Sequence, residues 1–540
     1  MLMEMETTAS RLDRTILAVP AVVYVATVAI LAGYILHETG HILYPIDDPY
    51  IHMAMARHWA EEGFFGVSQA GFSATSSSPG WTALLGLCFY VLGNHEAIPL
   101  LLNLLFGTLL LIQITWMLYK LIENALLASV CAGIAIYIVP LPAITCTGME
   151  HPLHILLIVN LTSYVVNVLT DTNKAASPMY LFLIGMLAAL ARYETMFVVL
   201  PLTLLLWLGN RRRLAFVLVF SCVLPMAVLG VAYVSQDWFF FPTSIVQKSA
   251  LQASGWEQCR QVFERLSNQL FDTGHLLVPF VLSLSFLLHS IKHGKALSSR
   301  EGIWTVTFLA ALLFHVSFAS IGWFFRYEAY LLVLWILSVS SLLPSVTIYL
   351  REIWHSPHPP VERMLGRIVA IALFPLVIIP FSKNVDSIRQ VVPGARNLFH
   401  QQYQMGLFLR EYYDGQCVVA NDIGAINYLS DINCLDLMGL GSMEPFRVSR
   451  EGRWSPTFVD NWCKNRGAKI AVIYERWWND VLPASWIKIG EWTVYEKVTV
   501  ADTTVSFFAL DKADVLPLVD NLKEFTSRLP EGIGVKIIEL

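Results

Sequence analysis

The sequence predicts a mainly α-helical polytopic membrane protein of about eleven transmembrane helices, with a C-terminal α/β soluble domain on its outer face. Three observations predict it. Apolar residues make up 56% of the chain and charged residues 14%, with a mean hydropathy of +0.57, far from the values of a soluble globular protein. Apolar runs of spanning length recur as far as residue 382, and beyond about residue 384 the sequence turns polar and alternates strand and helix signals. The net charge of −5 is small and dispersed, which argues against nucleic acid as a partner and against a polybasic surface anchor.

A helix needs about 17 to 25 apolar residues to cross a bilayer. Candidate spans lie near 15–36, 97–119, 125–143, 151–170, 176–191, 195–210, 213–235, 275–291, 303–322, 327–349 and 366–382. The first lacks a small-residue cleavage site and reads as a span rather than a signal peptide. Trp81 to Leu92 is also apolar, but a dozen residues between Ser-Pro-Gly and Gly-Asn-His-Glu are too few for an easy crossing. That segment is expected to lie in the interface.

Charge decides this choice, because basic residues concentrate in short cytoplasmic loops. With the Trp81 helix uncrossed, Arg11, Arg14, Lys120, Lys174, Arg211 to Arg213, Lys292, Lys295, Arg300, Arg351, Arg363 and Arg367 all fall on one side. The N-terminus is then cytoplasmic and the C-terminal region outside, as in a bacterial inner membrane protein. Residues 1–383 form the membrane domain and 384–540 the outer domain. The unusual polar residues gather on the outer side: the loop 37–96, the turn Thr145 to His151, the boundary Arg192-Tyr193-Glu194, the loop 236–274 and the turn Trp323 to Glu328.

In the C-terminal region, Cys417 to Ala420, Asn433 to Met438 and Lys469 to Tyr474 read as strands, and Trp492 to Lys497 and Val505 to Leu510 carry the period-two alternation of antiparallel strands. Asn421 or Asp422 is placed to cap a helix running through Tyr428. Cys88, Cys131, Cys146 and Cys222 lie in apolar stretches and pack as small hydrophobes. Among the polar-segment cysteines, Cys417, Cys434 and Cys463 leave room for one disulfide whose pairing spacing cannot fix.

Asp47-Asp48 is the most informative pair in the chain. It sits just past the first span, where an ionised side chain is costly unless it faces water, a partner or a substrate. The following Tyr50 to Gly63 has helical spacing with Ile51, Met55 and Trp59 on one stripe, and reads as an amphipathic surface helix. The same acids suit an N-cap before Pro49, and one of them is expected to cap while the other works.

The order of these segments resembles the GT-C superfamily of glycosyltransferases, polytopic enzymes that use polyprenyl-phosphate sugars and include aminoarabinose, mannosyl and arabinofuranosyl transferases. Asp47-Asp48 resembles the family's first-loop acid motif, and Ser77-Ser78-Pro79-Gly80-Trp81 the start of its second juxtamembrane helix. Thr147-Gly148-Met149-Glu150, Phe241-Pro242-Thr243-Ser244 with Lys248, and Phe325-Arg326-Tyr327 resemble other outer-face motifs, and Asn421-Asp422-Ile423-Gly424-Ala425 the opening of the outer domain. The resemblance implies inverting transfer of a monosaccharide from a polyprenyl-phosphate donor to a hydroxyl acceptor on a glycan, glycolipid or protein.

Under that resemblance Asp47 is the general base and Asp48 its support. Lys248, Arg326 and Arg192 become cations for the leaving phosphate, and His52, Glu150 and Tyr327 fall on the substrate side. Other roles stand beside these. Glu150 suits a helix start, Arg192 suits a pair with Glu194, and Arg326 has Glu328 as its only nearby acid in sequence. No cofactor is required, though adjacent acids can bind Mn²⁺, Mg²⁺ or Ca²⁺ through oxygen. His52, His58 and His151 are read as hydrogen-bonded rather than metal-bound. An oligosaccharide ligase or polymerase using a lipid pyrophosphate is an alternative. A transporter fits less well, since polar groups collect at one boundary and no repeated halves are visible.

Overall fold

The computed structural model describes residues 10–171, 176–248, 256–292, 299–340 and 381–538. Ten of the eleven expected spans coincide with helices: Arg11–Thr39, Ile98–Ile122, Ala125–Ile138, His151–Thr170, Pro178–Ala191, Thr195–Leu208, Arg212–Ser235, Gly274–Lys292, Arg300–Phe318 and Ala329–Ser340. The eleventh, 366–382, lies outside the described residues apart from its last two, as do Lys174, Lys295, Arg351, Arg363 and Arg367. Six of the ten are long and apolar enough to cross a membrane, which makes the chain an integral membrane protein. Helix starts follow from local chemistry. Asn124, Ser177 and Ser299 each accept a backbone N–H of the first turn, satisfying a donor the helix leaves orphaned.

The faces of these helices separate as a lipid solvent requires. In Ile98–Ile122, Leu101, Leu105 and Leu109 are exposed at helical spacing, while Asn103, Gly107, Leu110, Leu111 and Ile114 are buried. The buried polar group finds partners for its N–H donors inside the bundle: the Asn103 amide nitrogen donates to the carbonyls of Met149 (2.8 Å) and Thr145 (3.3 Å).

Two helices follow the acid pair, as expected, at Asp48–Glu62 and Pro79–Leu92. The first is not a surface helix. Tyr50, His52, Met53, Ala54, Met55, Ala56 and His58 are all buried, whereas Trp59, from the anticipated apolar stripe, is 41% exposed. Its extra burial comes from the C-terminal domain, whose helix Ala425–Leu429 packs against it. The Pro79–Leu92 helix keeps an exposed apolar end at Leu87, Tyr90, Val91 and Leu92, consistent with an interfacial position.

The C-terminal domain is built on one six-stranded sheet of β1 (Cys417–Ala420), β2 (Asn433–Asp436), β3 (Ile470–Ile473), β4 (Ile487–Val494), β5 (Thr504–Ala509) and β6 (Ile533–Ile537), in the order β2-β1-β3-β5-β4-β6. β1 pairs in parallel with β2 and β3, and the rest is antiparallel. One face (Val418, Ala420, Ile470, Val472, Phe507) joins the core that continues into the helical bundle. The other (Val419, Leu435, Ala471, Phe508) makes a smaller core with Trp462 and Cys463. β4 begins five residues before the expected Trp492, because a bulge between Lys488 and Gly490 breaks the alternation that marks a strand. All eight cysteines are free. Cys434 and Cys463 belong to opposite faces of the sheet, so no disulfide joins them.

Candidate active site

Asp47 and Asp48 lie where the first loop, the turn before Ala329–Ser340 and the C-terminal domain converge. They border a cavity of about 240 Å³ with Ile46, Trp323, Arg326, Tyr327, Gln402 and Asp422. The pair is divided between two tasks. Asp47 Oδ2 accepts the Gly424 N–H and Oδ1 the Ala425 N–H, both at 2.8 Å. These donors open the helix Ala425–Leu429, so Asp47 supplies the N-terminal cap expected of Asn421 or Asp422. Neither acid caps its own helix, since Asp47 precedes it in a helical backbone conformation and makes no cap bond there. A carboxylate has about four acceptor sites, and the two N–H groups leave capacity for a substrate hydroxyl.

The half-buried Asp47 is crowded by protein, and this burial, with the negative charge of Asp422, pushes its carboxyl up to about 8 against the pull of the two N–H donors. Asp422 is also raised by burial, while Tyr474 and Gln402 hydrogen-bond it. Asp48 is more open, with 41% of its side chain exposed, and forms an ion pair with the buried Arg326. Arg326 also donates to the Tyr327 hydroxyl (2.8 Å) and lies over the Tyr327 ring at 4.8 Å. Its Nε and Nη1 are buried without a partner among the described residues, an expensive state that an anion would relieve. The expected neighbour of Arg326, Glu328, is engaged elsewhere: it bonds His275 (3.1 Å) and accepts the Gly322 N–H.

Tyr327 also lines a second cavity, of about 530 Å³, walled by Met196, Phe197, Met226, Phe241, Ile245, Val246 and Phe318 with Arg192, Glu194 and Arg450 at its polar margins. Arg192 is clamped between Glu150 and Glu194 (Nη2 to Oε1 2.5 Å) and faces the Tyr327 ring at 5.6 Å. Pairing with Glu194 was expected; Glu150 joins as a second acid. Breaking a buried pair costs about 3–5 kcal/mol, so Arg192→Met should lower the unfolding midpoint in detergent sharply. An unchanged midpoint would show that the two glutamates do not depend on it.

His52 is buried with its Nδ1 held by Thr82 (2.9 Å) and Ser76 (3.1 Å), burial lowers its pKa, and it borders neither cavity. Sequence placed it beside substrate; the structure packs it between the two juxtamembrane helices. Glu150 likewise borders neither cavity and acts through Arg192. Lys248 ends the short helix Thr243–Lys248, and its side chain lies outside the described residues. Arg450 was not anticipated, since a charged residue at the end of a polar helix carries no sequence signal.

At the acid pair, Arg326 pairs with Asp48 and two backbone N–H groups bond Asp47. Among the described residues, His58, Glu62 and Asp431 are close enough to share an ion. There Arg57 Nη2 already bonds Asp431 (2.6 Å) and His58 Nε2 (3.1 Å), occupying the cation's place.

One tyrosine, Tyr327, thus lines both an apolar cavity and an acid- and arginine-lined cavity, at the junction of a helical bundle and a sheet domain. Residues 396–508 match a family described as a domain of unknown function, DUF8728, and no curated protein sequence matches the chain. Among solved structures, the chain is similar to ArnT from Cupriavidus metallidurans bound to undecaprenyl phosphate, at 14% identity and a TM-score of 0.51 over 92% of this chain and 98% of that one. The apo form of the same protein gives a TM-score of 0.50 at 13% identity, over 91% and 98%. Archaeal oligosaccharyltransferase AglB from Archaeoglobus fulgidus, in complex with an inhibitory peptide and a dolichol-phosphate, gives 0.49 at 10% identity, over 91% and 74%. The chain therefore shares the fold of ArnT.

Proposed function

We propose that the protein is an inverting glycosyltransferase that moves a monosaccharide from a polyprenyl-phosphate donor to a hydroxyl of a glycan, glycolipid or protein. The observation that carries this reading is the sharing of Tyr327 between the apolar cavity and the cavity of Asp47, Asp48 and Arg326. The hydrocarbon tail lies in the first and the sugar in the second, with the phosphate near Tyr327. Asp47 removes the acceptor hydroxyl proton as the oxygen attacks the anomeric carbon, and the bond from that carbon to the phosphate oxygen breaks, its electron pair leaving with polyprenyl phosphate. Arg326, with its Nε and Nη1 nitrogens unmatched, meets the charge that develops on the leaving group, and Asp48 holds Arg326 in place.

The reaction belongs at the outer face of the membrane, with residues 1–383 as the membrane catalytic domain and 384–540 outside. The basic residues Lys120, Arg211 to Arg213, Lys292 and Arg300 lie at or beside the helix ends that this arrangement makes cytoplasmic. The test is incubation of the purified protein with radiolabelled polyprenyl-phosphate monosaccharides and acceptor-bearing envelope extract. Release of free polyprenyl phosphate with one sugar is expected. Labelled donor that crosses vesicle membranes intact, with none cleaved, would replace the enzyme by a transporter.

A further inference from the structure

Cations that face the two cavities are mostly spoken for. Arg192 stands against two carboxylates, Glu150 and Glu194, and Arg326 against Asp48. One cation against two formal negative charges would repel an incoming phosphate at the margin of the apolar cavity. Arg450, from the C-terminal domain, borders that same cavity. Among the described residues no carboxylate pairs with it, because the nearest acids in sequence are taken: Glu444 by Arg466 and Glu451 by Arg453.

Its placement is built rather than incidental. Arg450 ends the helix Met443–Arg450, and three residues earlier on the same face Arg447 Nη2 donates to the Asp237 carbonyl at 2.6 Å and lies over the Phe239 ring at 6.0 Å. Phe446 packs edge-on to Phe239 at 5.3 Å, and the Arg450 guanidinium lies over Phe446 at 5.9 Å. The loop so gripped continues into Phe241, Ile245 and Val246, which wall the cavity. Further on, Gln247 donates to the Met438 carbonyl and Thr243 to the Leu440 carbonyl, each at 2.6 Å. The C-terminal domain thus holds one wall of the apolar cavity and sets at its edge a solvent-exposed guanidinium with no carboxylate partner among the described residues.

We infer that Arg450 is a phosphate-binding residue for the lipid-linked ligand, so that the C-terminal domain takes part directly in donor capture. This rests on the reading of the ligand as a polyprenyl phosphate. Arginine suits the role, since its planar fork pairs with two phosphate oxygens at once.

The test measures binding of undecaprenyl phosphate, of uncharged undecaprenol and of inorganic phosphate to the full-length protein in detergent, without turnover. Arg450→Ala is expected to weaken undecaprenyl phosphate binding by about tenfold or more, the scale of one charged hydrogen bond, and Arg450→Glu by more still. Arg450→Lys should recover part of the loss, and undecaprenol should bind all variants equally. Inorganic phosphate alone should bind weakly, and tight binding of it would replace the lipid ligand by a free anion. Wild-type protein that prefers undecaprenyl phosphate, with Arg450→Ala and Arg450→Glu indistinguishable from it, overturns the role of Arg450 and leaves the donor reading standing. Wild-type protein that binds undecaprenol and undecaprenyl phosphate equally overturns both.

Discussion

Asp47→Asn is expected to lower turnover by about 10²- to 10⁴-fold, the usual contribution of a positioned general base, while donor binding changes little. The amide has almost the shape of the acid but no proton affinity, and it sets an NH₂ group against one of the two backbone N–H donors at Gly424 and Ala425. Some loss of stability, about 1 kcal/mol on the scale of a lost helix cap, should accompany the kinetic effect, and thermal unfolding separates the two. The pH profile gives a sharper reading. A base works only when ionised, so the rate should rise with pH through the carboxyl pushed up to about 8 by burial and by Asp422. Asp422→Asn removes the neighbouring negative charge, makes the Asp47 anion less costly and should move that rise to lower pH. A profile unmoved by Asp422→Asn, together with near-normal turnover of Asp47→Asn, would transfer the proton abstraction to another group.

The second large effect is expected from a residue that carries no side chain. A Cβ at Gly424 would stand 2.2 Å from the Asp47 carbonyl oxygen and 2.5 Å from its Oδ2, distances that force the acid to move. Gly424→Ala should therefore reduce turnover by roughly 10²-fold, as displacements near 1 Å at reacting groups do, with the donor KM nearly unchanged. Overpacking costs about 1–3 kcal/mol in its own right, so the comparison must use protein that elutes and unfolds as one species. Retained turnover in Gly424→Ala would mean that Asp47 need not sit against the C-terminal domain for the reaction.

These two predictions mark where sequence was readable and where it was not. The spans could be placed from composition because a bilayer imposes length and apolarity on each helix separately. Strands β1, β2, β3 and β5 could be placed from local alternation or short apolar runs. β6 was missed: Ile533 to Ile537 is a five-residue edge strand with a glycine and a lysine in it, too weak a pattern to stand out. The acid pair was found because charge is conspicuous beside a span. Its geometry was not, since the partners of Asp47 lie 377 and 378 residues away and leave no periodic trace. The same distance hid the burial of the Asp48–Glu62 helix, whose stripe of Ile51, Met55 and Trp59 describes only its contact with neighbours nearby in sequence. Arg326 was singled out with Glu328 as its nearby acid, but its acid is Asp48, 278 residues before it.

The span between Asp47 and Gly424 also has a meaning in time. Chains emerge from the ribosome at about 5 to 20 residues per second, so the acid enters the membrane environment roughly 20 to 75 s before the amides that orient it are made. Throughout that interval the bundle can insert and gather its apolar cavity, yet the carboxylate has no fixed direction. Under the proposed function, Asp47 gains its orientation only once Gly424 and Ala425 have been made, and a chain that ends before them would lack an oriented base.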